Sequence, residues 1–89
     1  MRRAAKVDRG SQNIVKGLRA YGATVAIIGR PVDLLCGYRR KNYLFEVKAE
    51  HAKPRRDQPQ QSAFVESWRG QVAIVKNLHE AILALREGM

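Results

Sequence analysis

Three ionisable side chains in the middle of the chain have the types and spacing of a hydrolytic site. Asp33 lies in the run VDLLCGY, and Glu46 and Lys48 lie in the run YLFEVK. Because a strand sends alternate side chains to opposite faces, Glu46 and Lys48 share one face while Phe45 and Val47 share the other. If the two runs pair as a hairpin, Asp33 and Glu46 approach each other near one end of the sheet.

Two carboxylates at one point form an oxygen-rich site of the kind that Mg²⁺ or Mn²⁺ takes. A lysine on the same face can position the attacking water or stabilise the charge of a phosphodiester during hydrolysis. The E-x-K spacing is common by chance, however. An edge strand whose charges face solvent gives the same pattern, so the spacing leaves that alternative open.

The elements that must position these residues are predicted from periodicity and from helix-end signals. Ser11 is the predicted cap of the first helix, Gly22 its end, and Asn77 with Glu80 a capping box for the last helix. The order is α-β-β-β-α-β-α, a mixed sheet flanked by helices. The predicted ranges are a helix at 11–21, strands at 24–28, 32–38 and 43–48, a helix at 59–69, a strand at 71–75 and a helix at 77–87.

Length and charge indicate one small domain with a polyanionic partner. The 89 residues carry a formal net charge of +9, and we expect residues 1–89 to form a single domain with a mobile basic arm at 1–10. The basic residues expected to contact phosphates fall in three clusters: Arg2, Arg3, Lys6 and Arg9; Arg39, Arg40 and Lys41 in a tight turn; and Lys53, Arg55 and Arg56 in a loop. No apolar run approaches the ~20 residues that span a bilayer, and the single cysteine suits a reducing compartment.

The chain resembles the PD-(D/E)xK nuclease superfamily, and within it the VRR-NUC type of small phage-like and bacterial domains that includes Holliday-junction-resolvase-like enzymes. The stretches that carry the resemblance are DRGSQNIVKGLRAYG, PVDLLCGYRRKNYLFEVK and DQPQQSAFVESWRGQVAIV. The resemblance implies a restriction-endonuclease-like αβββαβ core, here with an added C-terminal helix. It also implies a cytoplasmic protein of a bacterial or phage-infected cell.

Site roles follow from the same resemblance. Asp33 and Glu46 would bind Mg²⁺ or Mn²⁺ together with the backbone carbonyl of Val47, Lys48 would be the catalytic lysine, and Gln61 would complete the site from the second helix. The sequence departs from the family in two ways. Val32 stands between the proline and Asp33, and Asn13 stands where the first helix normally offers an acidic residue. Asn13 is therefore a neutral candidate ligand, with Asp8 as a possible substitute.

The leading hypothesis is a metal-dependent DNA endonuclease that acts on branched or otherwise structured DNA as a homodimer, through an apolar side of the last helix or strand. The alternatives are a DNA-binding module that kept the nuclease fold without its activity, and a basic adaptor of proteins. No membrane and no small-molecule cofactor are expected. A zinc site of Cys36, His51 and His79 lacks any ligand spacing. Phe64 and Trp68 are interpreted as core packing in preference to a platform for stacking bases.

Overall fold

The chain folds into a four-stranded mixed sheet flanked by helices, as the computed structural model shows for residues 9–48 and 59–88. The side chains of residues 9–10 and 59–62 lie outside this description. The elements are α1 Arg9–Tyr21, β1 Thr24–Ile27, β2 Leu34–Tyr38, β3 Lys41–Val47, α2 Pro59–Ser67, β4 Val72–Val75 and α3 Leu78–Glu87. The α/β class, the order of elements and the C-terminal helix are as predicted from the sequence.

The sheet places its strands in chain order, and β2 and β3 are central. The pairs β1–β2 and β2–β3 are antiparallel, and β4 is parallel to β3. A parallel neighbour requires a crossover connection, which contains α2 here. The predicted hairpin of the second and third strands is confirmed, with Leu34 opposite Phe45 and Tyr38 opposite Lys41.

One face of the sheet forms the hydrophobic core beneath α1 and α3. Tyr43 and Phe45 are almost completely buried there, and their rings stack with centroids 6.1 Å apart. Leu18 of α1 and Leu85 of α3 belong to the same buried cluster. The helices approach each other closely at Gly17, where an added Cβ would collide with Leu78. Packing on this face fixes the register of the strands, and the residues predicted for the site lie on the opposite face.

The opposite face carries Leu35 on β2 and Leu44 and Glu46 on β3, because these residues alternate with the core positions. The other described elements cover this face only in part. Leu35 on β2 and Ile74 on β4 are 38% and 44% exposed, although Glu46 on the same face is buried. The alternation predicted for residues 43–48 is therefore the observed one.

The hairpin turn consists of Arg39 and Arg40 alone, since Lys41 and Asn42, which were predicted to belong to it, pair within β3. Both arginines have positive φ, 53° and 67°, as a two-residue type I′ turn requires. Asn-Gly is the usual sequence of that turn, because side chains with a Cβ are strained in the left-handed region.

Replacing the turn by Arg39→Asn with Arg40→Gly is expected to raise the free energy of unfolding by about 1–2 kcal/mol, since the left-handed strain at two residues is relieved. Chemical denaturation at fixed salt measures this. Lys16→Gln with Lys76→Gln, at two exposed lysines, is the control for the loss of two charges outside the turn. Equal or lower stability of the turn variant relative to the parent would show that the turn holds no strain.

Several predicted boundaries are wrong by a few residues. The first helix begins at Arg9, so Arg9 is not part of an arm and Ser11 is a buried helical residue instead of a cap. The second strand begins at Leu34, two residues after the predicted start, and β1 ends at Ile27. The second helix ends at Ser67, two residues before the predicted end.

The predicted cap at Asn77 is confirmed, but the return hydrogen bond of Glu80 goes to the residue before the cap instead of to the cap itself. The Asn77 side chain accepts a 2.9 Å hydrogen bond from the backbone N–H of Glu80, and Glu80 Oε1 accepts one of 2.8 Å from the N–H of Lys76. Gly22, with φ 116°, follows the end of α1 as predicted. Within residues 9–48 and 59–88, no helix is long and apolar enough to cross a membrane.

Candidate metal and hydrolytic site

Asp33 is held rigidly at the point where β2 begins, between its two neighbouring strands. Its backbone N–H donates to the carbonyl of Phe45 on β3 at 3.1 Å, and its own carbonyl accepts from the N–H groups of Ile28 and Gly29 at 2.9 and 3.2 Å. These bonds join Asp33 to β3 and to the two residues that follow β1. The Asp33 side chain is therefore attached to a backbone that hydrogen bonds hold in place, which favours a defined position for its carboxylate.

The carboxyl groups of Asp33 and Glu46 meet at the end of the hairpin, as the sequence predicted. Asp33 Oδ2 accepts a 2.8 Å hydrogen bond from the backbone N–H of Val47. A second hydrogen bond joins the side chains of Asp33 and Glu46. Two carboxyl groups can bond to each other in this way only when one of them carries a proton.

Glu46 is a buried carboxylic acid with an unused oxygen. The residue is 6% exposed, and among the described residues none offers a hydrogen bond to its Oε1 atom. A buried polar atom without a partner costs about 1–3 kcal/mol, so native structures rarely keep one without a reason. Here the unpaired oxygen belongs to one of two adjacent carboxyl groups, which indicates a site for a cation.

The surroundings of Glu46 favour its protonated form in the absence of a cation. Burial, then the negative charge of Asp33 and the hydrogen bond to its side chain, raise the pKa of Glu46 from 4.5 to about 7. The ammonium of Lys48 and the backbone of Asp33 lower this pKa, but less strongly. A bound divalent cation would reverse the balance by neutralising both carboxylates.

Lys48 lies directly after β3 on the face that carries Glu46, and its side chain is half-buried. Its backbone N–H donates to the carbonyl of Val75 at 3.0 Å, which continues the β3–β4 ladder beyond the last paired residues. Its effect on the pKa of Glu46 places the ammonium within electrostatic reach of that carboxyl. The carboxyl pair therefore has an ammonium within electrostatic reach.

The groups present fit a hard divalent cation. Across residues 9–48 and 59–88, no cluster of three or more His, Cys, Asp or Glu side chains could hold a metal. The protein ligands would be two carboxylates with at most a carbonyl or amide, which is typical of Mg²⁺ sites completed by water and substrate. Val47 suits the carbonyl role, because an extended residue directs its N–H and C=O to the same side, and its N–H points to Asp33.

Two other residues predicted for the site are not tested by the geometry. Gln61 lies in α2, and its side chain is outside the described part of the chain. Asn13 lies on α1 and is exposed, whereas the buried residues of that helix are Ser11, Ile14, Val15 and Leu18. The roles of Gln61 and Asn13 stay predictions.

The basic residues predicted to contact phosphates are only partly described. Arg39, Arg40 and Lys41 are exposed at the tip of the hairpin, with the guanidinium of Arg39 5.4 Å from the centre of the Tyr38 ring. Five residue steps separate this tip from the carboxyl pair, which is about 17 Å along the strand. Arg9 lies in α1 without a described side chain. The remaining predicted contacts lie outside the described residues: Arg2, Arg3, Lys6, Lys53, Arg55 and Arg56.

An apolar groove lies beside the carboxyl pair, and the sequence analysis missed it. It has a volume of about 650 Å³, and its apolar lining comes from Pro31, Leu35, Leu44, Phe64 and Trp68. We refer to these five residues as the aromatic groove. The prediction that Trp68 is a core residue is wrong, because the side chain is 47% exposed. Phe64, which stacks on Trp68, is also only partly buried, so both rings line the groove instead of entering the core.

The alternative constellations gain no support from the described residues. Cys36 is completely buried in the core, and burial raises the pKa of its thiol to about 11, which disfavours the thiolate that binds metals. His79 is exposed in the first turn of α3, and His51 lies outside the described residues.

The chain matches no family model, no curated protein and no solved structure.

Proposed function

We propose that this protein is a divalent-metal-dependent nuclease that hydrolyses phosphodiester bonds at the Asp33–Glu46 pair. The observation that carries the proposal is the unpaired oxygen of buried Glu46, hydrogen-bonded through its carboxyl group to Asp33 at the end of the hairpin. Burying two adjacent carboxyl groups is unfavourable unless a cation or a proton neutralises them. Such an arrangement is more readily explained by a metal site than by a contribution to stability.

Each residue would contribute a separate function. Asp33 and Glu46 would hold Mg²⁺ or Mn²⁺ with the carbonyl of Val47. When bound, the cation lowers the pKa of a water molecule and neutralises charge on the scissile phosphate. Lys48 would orient the water and stabilise negative charge that develops on the phosphate oxygens. The rigid backbone around Asp33 would keep the pair in place during the reaction.

The arrangement of elements supports the restriction-endonuclease-like fold that the resemblance implies. The strand before the first carboxylate, the hairpin and the crossover through α2 to a parallel strand follow the αβββαβ order. The spacing of the two carboxylates and the lysine in the sequence resembles the PD-(D/E)xK pattern. The assignment to the VRR-NUC type rests on the sequence resemblance.

The charge of the chain supports a nucleic-acid substrate. A net charge of +9 attracts polyanions, and the cationic hairpin tip lies about 17 Å from the carboxyl pair, or roughly five base pairs of duplex. The described helices offer no evident reader of base edges. We therefore propose that the protein selects its substrate by the shape of the DNA, for example at a branch point. Cutting two strands would require a homodimer.

The competing proposal is a nuclease fold that binds DNA without cutting it. Asn13 favours it, because the resemblance expects an acidic residue at this position of the first helix. Restoring the acid by Asn13→Glu would then be expected to create or strengthen metal-dependent cleavage. An unchanged rate in that variant would remove Asn13 as the cause of weak activity.

The nuclease proposal is tested by incubating the protein with a labelled four-way junction, a linear duplex and a single strand, each with Mg²⁺, Mn²⁺ or EDTA. We expect cleavage with either metal, none with EDTA, and loss of at least about 100-fold in rate for Asp33→Ala. The control is Glu87→Ala, which removes an exposed carboxylate at the end of α3. Binding of all three DNAs without cleavage under every metal would contradict the nuclease and support the non-catalytic module.

A further inference from the structure

The aromatic groove lies on the same face of the sheet as the proposed catalytic groups. Leu44 lines the groove, and Glu46 and Lys48 follow at two-residue steps, so each lies about 7 Å further along that face. This interval is close to the spacing of successive phosphates in an extended polynucleotide strand. The groove is therefore about one nucleotide away from the carboxyl pair.

The groove has the shape and chemistry of a site for a planar ring. Phe64 and Trp68 stack with ring centroids 5.0 Å apart, and about half of the indole remains exposed. Gly70 lies under the indole edge, where an added Cβ would be only 2.7 Å from Nε1 of Trp68. Gly70 leaves room for the indole to pack this closely, and the exposed part of the ring offers a platform to an incoming ring.

Polar groups at one end of the groove provide directional contacts. Asn42 and Gln71 line it, and the Gln71 side chain donates to the backbone carbonyl of Asn42. The Gln71 amide is therefore held by the structure. A base that stacks on Trp68 would present its polar edge to the side-chain amides of Gln71 and Asn42, whereas an aliphatic occupant has no polar group to bond to them.

Two cations adjoin residues that line the groove. Arg30 precedes Pro31, and Arg69 lies between Trp68 and Gly70; both are exposed. The residues that line the groove carry no charge. An apolar site with a cationic rim is complementary to a nucleotide, whose base is uncharged and whose phosphates are anionic.

We propose that the aromatic groove binds one unpaired nucleobase of the substrate by stacking on Trp68, next to the phosphate that is cut. This inference rests on the proposed function and specifies its substrate as DNA with an unpaired nucleotide, such as the branch point of a flap or junction or a single strand. A fully paired duplex offers no base to the groove. Duplex would bind through its phosphates alone.

The test measures binding in EDTA, where no cleavage occurs. The probes are a ten-residue oligothymidylate and an abasic phosphodiester oligomer of the same length and charge, with a blunt duplex as reference. Trp68 is the single tryptophan, so stacking reports directly on its fluorescence. We expect the thymidylate to quench the fluorescence and to bind at least 5-fold more tightly than the abasic oligomer, since one stacked base contributes about 1–3 kcal/mol.

Variants separate stacking from general effects. Trp68→Leu is expected to remove the preference for thymidylate over the abasic oligomer, as measured by anisotropy of labelled oligomers, and to leave duplex affinity unchanged. Trp68→Phe should keep most of the preference, and Gly70→Ala should reduce it by displacing the indole. Tyr21→Leu is the matched control, because Tyr21 is an exposed aromatic whose ring packs at a tilt against Tyr38, outside the groove.

Three results would overturn this inference: equal affinity for the thymidylate and the abasic oligomer, a Trp68→Leu variant that keeps the preference, or a dimer that Trp68→Leu converts to a monomer in sedimentation velocity. The last result would identify the groove as an interface between copies of the chain. These results do not depend on cleavage. A protein that shows the base preference without cutting would refute the nuclease alone, and one that cuts without the preference would refute the groove alone.

Discussion

Replacing Lys48 with alanine is expected to lower the cleavage rate by about 100- to 1,000-fold, the usual effect of removing one electrostatic group that acts on the transition state. The ammonium of Lys48 lies close enough to Glu46 to lower the pKa of that carboxyl, and the Lys48 backbone N–H is hydrogen-bonded to Val75. Single-turnover cleavage of a labelled four-way junction at saturating protein measures the rate of the chemical step.

The loss should appear in the rate and only weakly in the affinity for DNA. Lys76→Ala is the matched control, because Lys76 is an exposed lysine directly after β4 and its loss changes the net charge equally. Lys48→Arg keeps the charge and should retain part of the activity. A Lys48→Ala variant that cuts at the parent rate would show that this lysine has no role in hydrolysis.

Replacing Glu46 with glutamine is expected to have two opposite effects. Cleavage should be lost, because a neutral amide cannot replace the carboxylate as a ligand. The metal-free protein should become more stable at pH 8 than the parent, by on the order of 3 kcal/mol, since the shift of the Glu46 pKa from 4.5 to about 7 is relieved. Gains of stability with loss of function are typical of active-site residues.

The dependence on pH follows from the direction of the shift. Below pH 4.5, Glu46 is protonated in both the folded and the unfolded chain, so its titration does not change the free energy of unfolding. Between pH 4.5 and about 7 the folded protein holds a proton that the unfolded chain releases, so the free energy of unfolding falls as the pH rises. Above about pH 7 the destabilisation is complete.

Denaturant unfolding of the parent and of Glu46→Gln at pH 4, 6 and 8, in EDTA, measures this difference. The two stabilities should be similar at pH 4 and furthest apart at pH 8. Glu87→Gln, which changes an exposed carboxylate, should follow the parent at each pH. If the parent and Glu46→Gln differ equally at every pH, titration of Glu46 is not the cause.

The strand pattern was the part of the fold that the sequence predicted best. Tyr43 and Phe45 alternate with Leu44 and Glu46, and a period of two has one structural meaning when one face is buried. The short basic turn at Arg39 then left an antiparallel hairpin as the simplest connection. Those two features were sufficient to bring Asp33 and Glu46 together.

Helix ends were predicted less well, because tertiary packing overrides local signals there. Ser11 is a good cap by residue type, but it is buried within a helix that starts two residues earlier. Trp68 keeps the helical spacing from Phe64 and stacks on it, yet the helix ends at Ser67 and both rings line the groove. Periodicity cannot show where a helix stops.

The burial of Glu46 was also beyond the sequence. Alternation assigns Glu46 to the second face of the sheet, but it does not say how much of that face is covered. The unpaired oxygen and the raised pKa of Glu46 arise from this cover and from the contact with Asp33. These two observations favour a metal site, which the common E-x-K spacing alone does not.

Binding of Mn²⁺ to the protein in the absence of DNA tests the central claim most directly, because the paramagnetic resonance signal of free Mn²⁺ measures weak as well as tight binding. A chain of net charge +9 has no general attraction for cations, so saturable binding requires a specific site. We expect one Mn²⁺ per chain at pH 8, competition by Mg²⁺, and loss of binding in Asp33→Ala and Glu46→Gln but not in Glu87→Gln. An absence of Mn²⁺ binding, or binding that persists in both Asp33→Ala and Glu46→Gln, would contradict a metal site at this carboxyl pair.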